Sequence, residues 1–437
     1  MPQAEPPPER LVPAASSSND VVRTATNLVS STVITAGLGV VFWAVAARMF
    51  TTEEVGEANA ALSAATLLAL IAQLSLGSVC SRYVPRAGRY TGWIIRRIYL
   101  VVSACAVLAG LLAVVIVSDI DNDEGLVAKT VFVVGTLTLT LFAIQDQALL
   151  GLGRSSIIPI ENTLFAVAKI ALLPVLASVS FVSGIFMAWI IPAAASAVII
   201  SVYVFGRVVP ARERAEESIP LPPRRELWPL LFSQYAASIT SQLAILGVPI
   251  LVTLTLGPEQ NGYLAIAWLV GASFAALLSN ISQSFCYHVR SGDAITTAAL
   301  RRLGAMMFVV GVLGGLVVVI AAPLILAIIA PGYQDAATPA LRLIGLAVPF
   351  FTLRSFWSTF MWLENRLLSI AGAYLIIALG TLGLTYALGP TMGIAGAGLG
   401  LLVSNAVVGV AALPAIISRV KRVKAGEGSR WIRWEAA

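Results

Sequence analysis

One pattern recurs through this chain: runs of about 20 mostly apolar residues, each long enough to cross a bilayer as a helix. They lie near residues 27–47, 58–81, 98–118, 126–149, 157–179 and 185–205. After a polar interval they return near 229–255, 262–288, 303–330, 341–363, 370–388 and 394–417. A backbone in hydrocarbon must satisfy its own N–H and C=O groups, so such runs can only be helices. The expected fold is an all-α membrane protein of twelve transmembrane helices. Charged residues make up 11% of the 437 residues, against about 25% in a soluble domain, which excludes a soluble globular enzyme.

Arginine and lysine test the count. With an even number of spans, both termini and alternate loops share one side. That side takes 23 of the 28 basic residues, in clusters such as Arg82, Arg86, Arg89, Arg96 and Arg97, and Lys421, Arg422 and Lys424. Arg48, Lys129 and Arg342 fall on the other side; Lys169 and Arg354 fall inside spans. Cytoplasmic loops carry the basic excess, so both termini are expected in the cytoplasm of a multi-pass cell-membrane protein. The organisation expected is a polar tail (1–20), a six-helix bundle (21–206), a cytoplasmic linker (207–228), a second six-helix bundle (229–417) and a basic tail (418–437). Trp431 and Trp434, interleaved with Arg430 and Arg433, suit the anionic cytoplasmic leaflet. Basic residues in short loops beside apolar spans also argue against nucleic acid as a partner.

The halves repeat. At an offset of 206 residues, Glu53-Glu54-Val55-Gly56 aligns with Glu259-Gln260-Asn261-Gly262, and Cys80 with Cys286. Six spans per copy, an even number, give both copies the same orientation, related by an axis along the membrane normal. A chamber between two such halves is the natural transport path.

Lys169, near the middle of the fifth apolar run, is the most demanding residue. A cation at that depth costs at least about 2.5 kcal/mol, and the residues four positions away, Phe165 and Leu173, are apolar. Glu161 is eight residues back, roughly 12 Å along a helix. Arg354 poses the same problem in the tenth run. Both are expected to face a wet interior and to receive an anion, phosphate above all; pairing with a buried carboxylate such as Glu161 is the structural alternative. Asn27, Ser31 and Thr35 share one helical face in the first run, and Gln234, Ser238, Ser241 and Gln242 form a polar row in the seventh. Asn280, Ser284 and His288, with Gln283 beside them, mark the eighth. The serines and threonines fit interhelical hydrogen bonding, whereas Gln234, Gln242, Asn280 and Gln283 fit a hydrophilic lining. Asp146 and Glu364 read as solvated span ends, and His288 as an interfacial residue. Gly396 and Gly400 form a close-packing face. One histidine and three cysteines in apolar surroundings give no metal-ligand set, and no phosphate-binding loop is present, so no cofactor or metal is expected.

Phe42-Trp43-Ala44-Val45-Ala46-Ala47-Arg48-Met49-Phe50-Thr51-Thr52-Glu53-Glu54-Val55-Gly56 resembles the first span and outer loop of the polysaccharide-transport flippases of the multidrug/oligosaccharidyl-lipid/polysaccharide (MOP) exporter superfamily. Ser81-Arg82-Tyr83-Val84-Pro85, Gly151-Leu152-Gly153-Arg154 and Gly393-Ile394-Ala395-Gly396-Ala397 are similar too. The resemblance covers nearly the whole chain after about residue 20. It implies a MATE-like 6+6 fold and export of a polyprenyl-diphosphate-linked oligosaccharide by alternating access, with a cationic cavity for the headgroup. Glycosyltransferases or a polymerase would be its protein partners. Such a protein is not an enzyme. Two rivals stand beside this reading. One is a cation-coupled multidrug antiporter of the same superfamily; relatives of that kind carry an acid in the first span, where this chain has Asn27. The other, more remote, is a membrane enzyme of polysaccharide assembly, which needs larger external loops than these.

Overall fold

The computed structural model describes residues 37–118, 125–178, 183–214, 224–290 and 295–426. The regular elements it describes are helices. They are α1 Gly37–Met49, α2 Thr52–Ala72, α3 Leu76–Tyr83, α4 Thr91–Ser118, α5 Leu126–Gly151, α6 Ile157–Ala177, α7 Gly184–Tyr203 and α8 Val209–Glu213. The second set is α9 Arg224–Leu256, α10 Pro258–Arg290, α11 Thr297–Phe308, α12 Gly314–Ile329, α13 Gln334–Leu363, α14 Leu367–Met392 and α15 Ala395–Lys424. Single π turns at Val204–Val208 and Val309–Leu313 join α7 to α8 and α11 to α12. Among the described residues eleven helices are long and apolar enough to cross a membrane, and the shorter α1 is the described part of the first expected span. The molecule is a multi-pass membrane protein.

Helices outrun the apolar segments that announced them. α4 begins at Thr91, α10 at Pro258 and α13 at Gln334, and α15 ends at Lys424. Polarity marks the edge of the hydrocarbon, not the end of a helix, so the ends project into the headgroup layer. The expected linker is likewise helical at both margins, with α8 reaching Glu213 and α9 starting at Arg224. The second expected span is broken. After α2 the chain passes through Leu74 (φ 48°) and Ser75 (φ 54°) before α3 resumes. Two adjacent left-handed residues other than glycine are costly and persist only where surroundings hold them.

α2, α4, α5 and α7 pack together, with α6 on α7; α13 is gripped by α10, α12 and α15, and α14 lies between α9 and α15. α2 bridges the two groups by packing on both α9 and α10. The surface away from these contacts is apolar: Leu100, Ile199, Val202, Leu254 and Ile320 stand exposed around the outside, as lipid requires. Gly396 and Gly400 let α15 approach the backbone of α14 at Leu388 and Thr381, the close-packing face expected of them.

The sequence repeat has a spatial counterpart. A Cβ on Gly56 would overlap the Pro258 carbonyl oxygen, and a Cβ on Gly262 would overlap that of Thr52. Thr52 and Pro258, like Gly56 and Gly262, are 206 residues apart. The contact is therefore reciprocal, as in a two-fold interface. Asn261 closes it, its Nδ2 donating to Gly56 O at 2.8 Å while its Oδ1 accepts from Asn59 Nδ2 at 3.2 Å. Arg48 adds a strap, donating to Ala44 O at 3.0 Å and to Ile328 O of α12. At the opposite end Arg212 and Arg419 play matching parts. Arg212 donates to Leu152 O, the C-cap of α5, at 2.9 Å; Arg419 grips Glu364, the C-cap of α13, with Nε and Nη2 at 2.5 and 2.8 Å.

Gly56→Val forces a side chain into backbone, at a cost of about 1–3 kcal/mol. It should lower the thermal unfolding temperature of the purified protein in detergent. Gly372→Ala, where a Cβ meets nothing within 4 Å, should leave that temperature unchanged or raise it.

Candidate central cavity

Between the two groups of helices lies a cavity of about 790 Å³. Its wall comes from the α2–α3 break, the middle of α9 (234–245), residues 268–283 of α10, residues 351–362 of α13 and residues 370–377 of α14, with Gln147 of α5 and Leu401 of α15. The α2–α3 break, Gln147 and the α13 and α14 segments lie toward the arginine-rich loops, whereas α9 and α10 contribute their middle turns. The opposite ends of α2 and α10 are in the glycine contact described above.

α10 presents Trp268, Gly271, Ala275, Ser279, Asn280 and Gln283 to the space. Steps of three and four place Trp268, Gly271, Ala275, Ser279 and Gln283 on one helical face, with Asn280 beside them. From α9 come Gln234, Ser238, Ser241 and Gln242. The four amides expected to form a hydrophilic lining are thus brought together on one wall. Ser241 donates to Ser238 O at 2.8 Å, so its hydroxyl is partly occupied within its own helix. The break contributes Gln73, Ser75, Gly77 and Ser78, and α5 contributes Gln147. These were not singled out from sequence, where the second span looked continuous.

Arg354 is the charged residue of this wall. It is buried, yet its guanidinium meets no carboxylate among the described residues. Nη1 donates to Asn405 Oδ1 at 3.0 Å, and Asn405 is itself fixed through Nδ2 to Leu401 O at 2.8 Å. The guanidinium carbon lies 4.7 Å from the centroid of Tyr374 and 5.2 Å from that of Phe351. Nε has no partner. A neutral amide and two rings orient the group without cancelling its charge, which leaves it able to receive an anion.

Lys169 departs from expectation. It does not line this cavity. Its ammonium is buried within the first helix group, 3.4 Å from the ring centroid of Trp189, 4.9 Å from Phe42 and 5.0 Å from Phe165. The rings meet edge to face, Phe42 on Trp189 at 5.1 Å and Phe165 on Trp189 at 5.9 Å. Phe165, an apolar neighbour at i−4, is a partner after all, because a ring face carries negative charge density. What the ammonium meets is these ring faces, and the Glu161 carboxylate is engaged elsewhere. Glu161 instead accepts from Ser196 Oγ at 2.5 Å and from Gln145 Nε2.

The two span-end acids also differ from expectation. Asp146 has one buried oxygen without a donor, the other facing Asn162 Nδ2 at 3.5 Å. Glu364 is in the half-buried pair with Arg419. Asn27, Ser31 and Thr35 lie outside the described residues, as does the side chain of His288.

Replacing Lys169 should leave the cavity intact. Cysteines at 234, 242, 280 and 283 are expected to react with a water-soluble thiol reagent, and a cysteine at 169 to stay unlabelled. In a thermodynamic cycle of Lys169→Met and Trp189→Leu, the stability coupling should reach about 1–2 kcal/mol, the size of a desolvated cation–π contact.

No protein-family model matches the chain, and no curated protein sequence matches it. Solved structures do. A MATE in complex with MaL6 superposes with a TM-score of 0.63 at 14% identity, over 93% of this chain and 97% of that one. An outward-facing multidrug resistance MATE family transporter of the MOP superfamily gives 0.60 at 15% identity, over 93% and 97%. A MOP superfamily transporter from Pyrococcus furiosus Vc1, described as having a binding pocket of reversed polarity, gives 0.57 at 15% identity, over 92% and 97%. Over nearly its whole length, therefore, the chain has the fold of the MATE transporters.

Proposed function

We propose that the protein is an alternating-access transporter of the cell membrane that moves a polyprenyl-diphosphate-linked oligosaccharide for cell-surface polysaccharide assembly. The observation that carries this reading is Arg354: a buried guanidinium that meets no carboxylate among the described residues, held on the wall of a polar cavity between two halves of the molecule. A diphosphate supplies the missing negative charge, and a guanidinium binds phosphate oxygens in pairs. The amides Gln234, Gln242, Asn280 and Gln283 offer donors and acceptors of the kind a sugar requires. The MATE fold supports movement between two access states, since structures described as inward-facing and outward-facing both resemble this chain. With the arginine-rich loops in the cytoplasm, the cavity lies on the cytoplasmic side of the Gly56–Gly262 contact, which closes the outer end. Loading then takes place from the inner leaflet, and release follows when that contact opens.

The competing reading, a multidrug antiporter, draws on the aromatic cavity residues Trp268, Trp362 and Tyr374, which suit an organic cation. Arg354 opposes it by like charge. In proteoliposomes carrying a labelled polyprenyl-diphosphate oligosaccharide, Arg354→Ala should slow translocation about 10- to 100-fold, the kinetic equivalent of a lost charge-assisted contact of about 1.5–3 kcal/mol. Arg354→Lys should be intermediate. Transport of a cationic dye, unimpaired by Arg354→Ala and without movement of the glycolipid, would select the antiporter.

A further inference from the structure

The cavity wall carries very little charge. Among the described residues that line it, Arg354 is the one charged side chain and no carboxylate is present. The charges nearest along the chain stand off the wall. Arg82, next to Ser81, is exposed. Asp146, next to Gln147, faces Asn162 of α6. Glu364, just beyond Trp362, is gripped by Arg419.

What the wall carries instead is primary amides. Gln73, Gln147, Gln234, Gln242, Asn280 and Gln283 reach it from the end of α2 and from α5, α9 and α10. Gln73 Nε2 donates to Ala69 O at 3.3 Å; the other five have no hydrogen-bond partner among the described residues. Amides elsewhere are treated differently. Gln145, Asn261 and Asn405 are fully buried, and each is hydrogen-bonded within the protein. Open amides in a concave space are free to serve a ligand. Each offers two donors and an acceptor, which suits a sugar hydroxyl whichever way its proton points. None of them brings a charge.

We propose that the glycan accepted by this cavity is electrically neutral, its rings bearing hydroxyl or acetamido groups and no carboxylate, sulfate, phosphate or free amine. This deepens the function proposed above and rests on it. The diphosphate of the cargo brings more than one negative charge to a single guanidinium, so the occupied cavity is already short of positive charge. An ionised uronic acid on the amide wall adds another anion to the same space, repelled by the diphosphate and met by no cation of the described lining. Amide N–H groups solvate a carboxylate without compensating its charge. A protonated amino sugar fails in the opposite way, since no acid of the described lining receives it and Arg354 repels it. Hydroxyl and acetamido groups simply exchange hydrogen bonds with water for hydrogen bonds with the amides.

Labelled polyprenyl-diphosphate trisaccharides of equal size test this in proteoliposomes of the full-length protein. One has neutral hexoses throughout, one has a terminal hexuronic acid, and one is the methyl ester of that acid. The acid should cross at least about 10-fold more slowly than the neutral compound, and the ester should recover most of the rate. Gln283→Lys, which adds a cation to the wall, should raise the rate of the acid relative to the neutral compound; Gln242→Lys serves should the first variant fail to fold. Equal wild-type rates for acid and neutral glycan overturn this inference and leave the flippase standing. So does an ester as slow as the acid, because size and not charge would then exclude it. If none of the trisaccharides crosses, the flippase reading itself falls, and this inference with it.

Discussion

A charge withdrawn from water must be given back an environment that stabilises it, and the interior of this molecule answers that demand in four different ways. Lys169 is surrounded by ring faces. Arg354 leans on an amide oxygen and two rings at the edge of a polar space. Glu364 takes a bidentate arginine at a helix end. Glu161 takes an amide and a hydroxyl and meets no cation among the described residues. The first and third arrangements are closed: every strong demand of the charge is met within the protein. The second and fourth are open, with a cationic nitrogen or an anionic oxygen left over. Function is argued from Arg354, because an incomplete site beside a cavity has something to gain from a ligand.

The pseudo-two-fold relation explains why these sites are arranged as they are. The two copies touch through equivalent glycines at one end of α2 and α10, and the cavity lies farther along the same helices. Only one copy supplies its charge: Arg354 and Asn405 belong to the second half, whereas the aromatic cage and the Glu161–Gln145 contact belong to the first. Duplication gave two similar frames, and the side chains placed in them have separated the tasks. The strained residues Leu74 and Ser75 interrupt the helix that touches both halves, where an uninterrupted α-helix would run past the cavity wall and leave no turn to display Gln73, Ser75 and Ser78.

Much of the fold was legible in the residues alone. Apolar runs of membrane length, the segregation of arginine, and the repeat of Glu53–Gly56 at Glu259–Gly262 reflect forces that act on each segment against a uniform solvent, so they can be read one segment at a time. The polar rows of α9 and α10 were readable for the same reason, since helical periodicity fixes which residues share a face. The remainder of that face, with Trp268 and Gly271, follows the same spacing and could have been found by extending the row. The helix break could not, because Leu74 and Ser75 are ordinary helix residues whose conformation is imposed by neighbours.

What the sequence determined by itself is therefore the class of molecule: membrane helices, roughly how many, and their duplication, because hydrocarbon imposes the same rule on every segment. Only the tertiary structure decided the fate of each internal charge. Lys169 and Arg354 look alike along the chain, both isolated cations in apolar runs. One met Trp189 and Phe42 from other helices and was sealed; the other met Asn405 and Tyr374 beside an open space. Partners more than a few residues away arrive by packing, and for a charge in a low dielectric the partner is what matters.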